Sequence, residues 1–284
     1  MSIKITSDST CDLGNLVKER NIGILPLQVN LDAQAYFDGV DITPEDIFEF
    51  VAKTKSLPKT SAPSIHDYEC FFEKELKNAT EVIHFNISAK SSRSHESALV
   101  AAKSFNGKVH VVDSKALSSG QGLLVLKAAD LRDEGKSTSE ILEVVNEVKN
   151  RVNTSFIPDH LDYLHKGGRV SALTLYGANL LKIHPKIAMQ DGQLQSTGKY
   201  RGNMNVCLRN YIYDLKTQYP SYDKSRCFIT HSTADRPLVD TAIQTVKELF
   251  DFDEVIETVA GSIITSHCGR NTLGVLFIYN NDTN

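Results

Sequence analysis

Apolar residues along this chain fall into short strand-like runs separated by stretches with a helical period. Ile3 and Ile5 share one face of a strand over residues 1–7, and Leu13, Leu16 and Val17 follow at helical spacing behind Ser7-Asp8-Ser9-Thr10-Cys11-Asp12. Residues 22–27 read as a second strand and residues 29–40 as a small hairpin. Thr43-Pro44-Glu45-Asp46 opens a helix, with a threonine cap, proline in the first turn and two carboxylates at the positive end of the dipole. Ser64 caps another with Asp67 at its third position, and Tyr68, Phe71, Phe72 and Leu76 form its apolar stripe. Strands at 81–88 and 108–114 each run into a hydroxyl-rich junction and then a helix, one lined by Ala98, Ala101 and Ala102, the other by Leu123, Leu124 and Leu126. Ser137 and Glu140 form a capping box ahead of Ile141, Leu142, Val145 and Val148.

Strands alternating with helices through residue 155 predict a mostly parallel, layered sheet. The pattern then changes. A strand at 154–157 ends at Pro158, and Gly167-Gly168 makes a tight turn that brings backbone close to a neighbour and aims Arg169. A helix is expected over 173–182, then a hairpin over 186–195 turning at Asp191-Gly192, with Gly198-Lys199-Tyr200-Arg201-Gly202 as a basic tip. A helix at 206–219, a strand at 227–231, a helix capped by Asp235, and strands at 255–259 and 273–279 complete the chain, with no element assigned to 261–270. The fold class is α/β in two α/β domains, residues 1–157 with a mostly parallel sheet and residues 158–284 with a mixed one.

Composition narrows the functional classes. With 41% hydrophobic and 23% charged residues, the chain is that of a globular protein with a substantial core. A net charge of −4 without a basic run argues against a nucleic-acid partner. No apolar run approaches the ~20 residues needed to cross a bilayer, so stable membrane insertion is not expected. The start lacks a signal-peptide core, which makes the cytoplasm the expected location. Cys11, Cys70, Cys207, Cys227 and Cys268 are scattered and form no C-x-x-C pair, against a disulfide framework or a structural zinc site.

Candidate chemistry gathers around Lys59-Thr60-Ser61-Ala62-Pro63-Ser64, three hydroxyls in an extended loop before a helix start. Such a loop can rest an anionic head group or simply cap the helix. Asp8, Ser9 and Thr10 stand where a parallel sheet presents its ligand-facing edge, or serve as caps. Gly120-x-Gly122 lacks the third glycine of a dinucleotide fingerprint, and no Walker loop, H-E-x-x-H or dense acidic cluster points to a cofactor or metal. Ser92 and His267 have the residue types of a nucleophile and base, but no G-x-S-x-G elbow is present and no acid stands near His267 in sequence. The residues read more as a binder than a catalyst. Ser61, Ser92 and His267 suit one carboxylate, and about a dozen buried CH₂ groups at roughly 0.8 kcal/mol each would supply on the order of 10 kcal/mol before ordering costs.

Thr6-Ser7-Asp8-Ser9-Thr10-Cys11-Asp12-Leu13, Lys59-Thr60-Ser61-Ala62-Pro63-Ser64, Val112-Asp113-Ser114, Gly167-Gly168-Arg169-Val170 and His267-x-Gly269, in that order, resemble the DegV family, bacterial fatty-acid-binding proteins of the fatty acid kinase system. The resemblance spans essentially the whole chain. It implies a long-chain fatty acid in a tunnel between two domains, its carboxylate at their interface, phosphorylated to an acyl phosphate by a separate kinase subunit while the carrier does no chemistry. By motif, Thr60, Ser61, Ser92 and His267 would hold the head group, with Arg169 and Arg201 facing the kinase or incoming phosphate. Ser9, Arg93, Ser94 and Arg270 would lie in the head group's vicinity. Two motifs differ: the family's Ser-Gly-Thr turn is Ser92-Arg93-Ser94 here, and its glycine-proline-glycine is Gly269-Arg270-Asn271. A Ser92/His267 hydrolase or transferase, or a regulator whose pocket is filled by Arg93 and Arg270, are the alternative readings.

Overall fold

The computed structural model describes residues 2–168 and 183–281. Its first strand, β1 (Ile3–Asp8), buries Ile5, Thr6, Ser7 and Asp8 completely. In chain order there follow α1 (Leu16–Glu19), β2 (Gly23–Leu25), the antiparallel hairpin β3 (Gln28–Leu31) and β4 (Gln34–Phe37), α2 (Pro44–Thr54), β5 (Lys59–Ser61) and α3 (Ile65–Leu76). Next come β6 (Glu81–Asn86), α4 (Ser94–Ala102), β7 (Val109–Asp113), α5 (Ser119–Asp133) and α6 (Thr138–Val148). Among the described residues, β2-β1-β6-β7 form a four-stranded sheet, parallel throughout. The expected loop at Lys59-Thr60-Ser61 is instead an edge strand: extended backbone finds a partner in β3, with Thr60 opposite Val29 and Ser61 opposite Gln28.

The second half contains β8 (Val152–Asn153), β9 (Ser155–Ile157), α7 (Asp162–Gly167), β10 (Ile183–Gln190), β11 (Gln193–Arg201) and α8 (Met204–Gln218). It ends with β12 (Tyr222–Ser232), α9 (Arg236–Leu249), β13 (Glu254–Val259), α10 (Ser262–Cys268) and β14 (Thr272–Tyr279). Its sheet runs β11-β10-β9-β14-β12-β13 with β8 also on β14, and it is mixed, since β12 and β13 are parallel while the other pairs are antiparallel. Strands β8 and β9 thus join this second sheet although they precede Pro158. No described helix is long and apolar enough to cross a membrane.

Helix α5 is buried on all sides from Ser119 to Leu126, with its buried Gln121 bonded to Ser7 and Asp8. Leu123, Leu124 and Leu126 pack with Ile5 and Phe85 of the parallel sheet and with Phe228 and Leu276 of the mixed one. A Cβ on Gly120 would fall 2.1 Å from Thr154 Oγ1, and one on Gly122 would fall 2.6 Å from the Cys11 carbonyl. The two glycines let the helix seat against both halves. On the far face of the mixed sheet, α8 and α9 bury Tyr211, Leu215 and Val246 against Phe277.

Local signals formed as read at several points. Thr43, Ser64 and Ser137 each complete a capping box, their backbone N–H groups donating to Asp46, Asp67 and Glu140 at 2.8 Å. Asp191 and Gly192, both at positive φ, turn the β10–β11 hairpin. That turn is the hairpin tip. Lys199 and Arg201 lie in β11 at its other end, opposite Pro185 and Ile183, so the expected basic tip is a strand end. Neither α7 nor α10 was expected. Arg169 and the expected helix over 173–182 lie outside the described residues.

Candidate ligand-binding site

The carboxyl ends of β6 and β7 open on a cavity of about 440 Å³, within the range of small-molecule sites. Its apolar interior comes from both halves: Ile87 and Leu117 follow β6 and β7, Leu164 stands on α7, Leu194 on β11, and Ile263 and Ile264 on α10. A smaller, mostly apolar cavity shares Leu117, Ile264 and Cys268 with it and continues toward Phe156 and Leu276. Polar groups line the other end. Thr60 and Ser61 come from β5, Ser91, Ser92 and Arg93 from the turn into α4, and His267 from α10.

Their hydrogen bonds leave hydroxyl hydrogens for a ligand. Thr60 Oγ1 and His267 Nε2 are bonded at 3.0 Å. Ser61 Oγ accepts from Asn30 Nδ2 at 2.9 Å, so its own hydrogen can be donated. Ser92 Oγ accepts the Ser94 N–H at 3.2 Å and lies 2.9 Å from Ser94 Oγ. Lys90 lines the same end, with Nζ 2.8 Å from Asp191 of the hairpin tip. Hydroxyls, an imidazole and an ammonium beside an apolar interior suit an amphiphile with an anionic end.

Helix α10 presents His267, and the sequence gives little local reason for it. Ile263, Ile264 and Thr265 are β-branched, and Gly261 supplies no side-chain cap. The first amides are held from far away: Asp12 Oδ1 accepts Gly261 N–H at 2.9 Å, and Asp38 Oδ1 accepts Ser262 N–H at 2.7 Å. Ser118 Oγ also donates to Asp12, at 2.5 Å. Burial, with Asp38 and Asp8 nearby, pushes the Asp12 carboxyl up to about 8, and burial raises Asp38 and Asp8 as well. In the third carboxyl's surroundings, Thr10 Oγ1 has one hydrogen and two acceptor neighbours, Asp8 Oδ1 at 2.6 Å and Gln121 Oε1 at 3.0 Å. Asp8 also accepts N–H groups of Thr10 and Gln121 on Oδ1 and of Ile87 and Asn86 on Oδ2, contacts that oppose the rise that burial causes. On the other side of His267, a Cβ on Gly167 would come 2.9 Å from Nδ1, so that glycine lets α7 close on the imidazole.

Of the residues singled out from sequence, the fold brings Thr60, Ser61, Ser92, Arg93 and His267 to one cavity. Ser94 lies directly behind Ser92 and is wholly buried. Ser9 is drawn into the frame instead: it donates to Asp38 at 2.8 Å and accepts Leu27 N–H at 3.2 Å, while Asp8 and Thr10 beside it are internal. Arg93 points out, 85% exposed and paired with Glu96 at 3.3 Å. Arg270 turns to a separate surface depression, where it pairs with Glu45 at 2.6 Å and stacks on Phe48 at 4.2 Å. The two guanidinium groups therefore do not fill the cavity. Arg201 is exposed at the far end of β11. Ser92 is engaged with Ser94 and His267 Nε2 with Thr60, so they are not paired as nucleophile and base. Sequence reading missed Asn30, Lys90 and Leu194, because register and hairpin docking bring them in from distant parts of the chain.

Comparison with known proteins bears on this site. A family model described as an uncharacterised protein of the DegV family matches residues 2–280. A DegV domain-containing protein of Caldanaerobacter subterraneus is 31% identical over 279 residues, covering 97% of this chain and 98% of that one. Among solved structures, one described as fatty acid binding of a DegV family protein from Thermus thermophilus matches with a TM-score of 0.92 at 29% identity, covering 99% of this chain and 100% of the other. DegV from Bacillus subtilis, described as a fatty acid binding protein, matches with a TM-score of 0.85 at 25% identity, with 99% and 100% covered.

Proposed function

This chain belongs to the DegV family, and from that membership we propose that it binds a long-chain fatty acid and does no chemistry on it. The observation that carries the reading is the cavity itself, with an apolar interior from Ile87 to Ile264 and a cluster of hydroxyls and imidazole at one end. In this reading Ser61, Ser92 and His267 take the carboxylate, with Thr60 steadying the imidazole, and the tail runs in a tunnel past Leu117 and Ile264 between residues 1–157 and 158–284. The tail supplies affinity, at roughly 0.8 kcal/mol per buried CH₂. The head-group cluster supplies orientation.

The same reading makes the chain a cytoplasmic carrier that offers the bound acid to a separate kinase subunit for conversion to an acyl phosphate. Arg169, next to the Gly167-Gly168 turn, and the exposed Arg201 are its proposed cationic contacts with kinase or phosphate. Native mass spectrometry of freshly purified protein, with extraction of bound lipid, tests the carrier role. One free fatty acid per chain is expected. An empty protein that also refuses added palmitate and oleate would overturn the reading.

A further inference from the structure

Helix α10 carries His267, yet acceptors for its first amides come from the other half of the chain. The opening turn of a helix leaves N–H groups with no partner inside it, and Gly261 offers no side chain to cap them. Asp38, directly after β4, supplies one acceptor: its Oδ1 takes the Ser262 N–H at 2.7 Å. Ser262 Oγ reaches the same segment, donating to the Ile42 carbonyl at 3.3 Å. The other carboxylate oxygen, Oδ2, accepts the Ser9 hydroxyl at 2.8 Å, and Ser9 Oγ accepts the Leu27 N–H at 3.2 Å. The Asp38 N–H then donates to the Leu27 carbonyl at 2.9 Å. One buried side chain thus grips α10 on one side and the approach to β3 on the other.

Those two sides carry the polar end of the cavity. Strand β3 pairs with β5, placing Val29 opposite Thr60 and Gln28 opposite Ser61, so both hydroxyls ride on the sheet that Asp38 holds. His267 follows Ser262 by about one and a half helical turns. The sides meet again where Thr60 Oγ1 and His267 Nε2 are bonded at 3.0 Å. Between the two contacts, Ile263 packs with Leu27, Val29, Ile42 and Ile47. Neither element holds this geometry alone. Strand β5 is three residues long with β3 as its one partner in the sheet, and α10 has seven residues, three of them β-branched in a row.

We propose that Asp38 is a positioning residue for the head group: by fastening α10 to β3 it sets His267 against Thr60, where the imidazole can meet a carboxylate. This deepens the fatty-acid reading and rests on it. Asp38 is not among the residues that line the cavity, so it acts through His267 and not by touching the ligand.

The test is a double-mutant cycle on palmitate affinity, read by titration calorimetry with Asp38→Ala, His267→Ala and the two combined, alongside thermal melts. Asp38→Ala is expected to weaken palmitate about tenfold, the scale of one hydrogen bond to a charged group, but less than about twofold once His267 is already alanine. Asp38→Asn keeps an oxygen for the Ser262 N–H and is expected to stay within about threefold of wild type. Equal losses from Asp38→Ala with and without His267 would mean a merely structural role and overturn the proposal, as would wild-type affinity in that variant. Ser9→Ala, which loosens β3 and leaves the α10 cap in place, carries the same cycle should Asp38→Ala fail to fold. NMR of the His267 ring nitrogens in the ligand-free protein gives a second reading. The signals should move in Asp38→Ala and stay in place in Asp38→Asn, and unmoved signals in Asp38→Ala would overturn the proposal. Wild type that binds no palmitate would strike down the fatty-acid reading, while the ring signals would still decide whether Asp38 positions His267.

Discussion

At the scale of single residues, Asp12 is a carboxyl group placed where its charge is poorly tolerated. It stands among two other carboxyls, Asp8 and Asp38, and the thiols of Cys11 and Cys268, which burial pushes up to about 12 and so keeps neutral. Its pKa of about 8 in the folded chain lies above the roughly 3.9 of an unfolded aspartate. The folded state therefore holds the proton more tightly. Asp12's contribution to stability is complete below about pH 4 and is lost as pH rises through about 8. Asp12→Asn mimics the protonated form, and asparagine accepts the residue's φ of +47°. Urea unfolding at about pH 5 and about pH 8.5 should show wild type losing more stability than Asp12→Asn across that interval. Parallel losses would mean that Asp12 does not titrate there.

Among the elements, α3 and α10 show what a sequence can and cannot announce. Ser64 Oγ accepts the Asp67 N–H while Asp67 accepts the Ser64 N–H, all within four residues. Ser64→Ala should cost about 1 kcal/mol, read as a lower urea midpoint with an unchanged slope; a variant as stable as wild type would mean the cap contributes nothing. Features closed inside such short spans were legible: the capping boxes and the Asp191-Gly192 turn. The Gly167-Gly168 pair announced a close approach but not its object, which is His267. Helix α10 was illegible because Asp12 and Asp38, which hold its first amides, are 249 and 224 residues away in the chain. Arg270 misled for a related reason. Its attraction to Glu45 and Phe48 exists only once α2 has packed nearby.

For the whole molecule, the hairpin tip is one point where the halves meet at the cavity wall, beside the Thr60–His267 bond. Ser88 Oγ donates to the Gly192 carbonyl at 2.6 Å, and Asp191 takes Lys90 at 2.8 Å and Lys115 at 3.5 Å. Leu194, two residues on, lines the cavity. These ion pairs are exposed, so their share of global stability is small. Their local effect is to hold one wall shut. Asp191→Asn keeps a residue suited to the turn while removing the charge. Stopped-flow displacement of bound oleate should therefore be several-fold faster in this variant, and the wild-type rate should rise with salt as screening weakens the same pairs. A melting temperature close to wild type would accompany the change. Equal release rates in the two proteins would show that the tip does not gate the wall.

Helix α5 carries a consequence for how such a protein can change over generations. Gly120 lies against Thr154 of one half and Gly122 against the Cys11 carbonyl of the other, and the leucines between them are shared by both sheets. Neither half owns this helix. A recombination that exchanged one sheet for a relative's would have to match two surfaces at once, each fitted to a glycine with no room for a methyl group. Such an exchange would keep the fold only if both surfaces were matched together, so the two halves are tied to each other through this one helix.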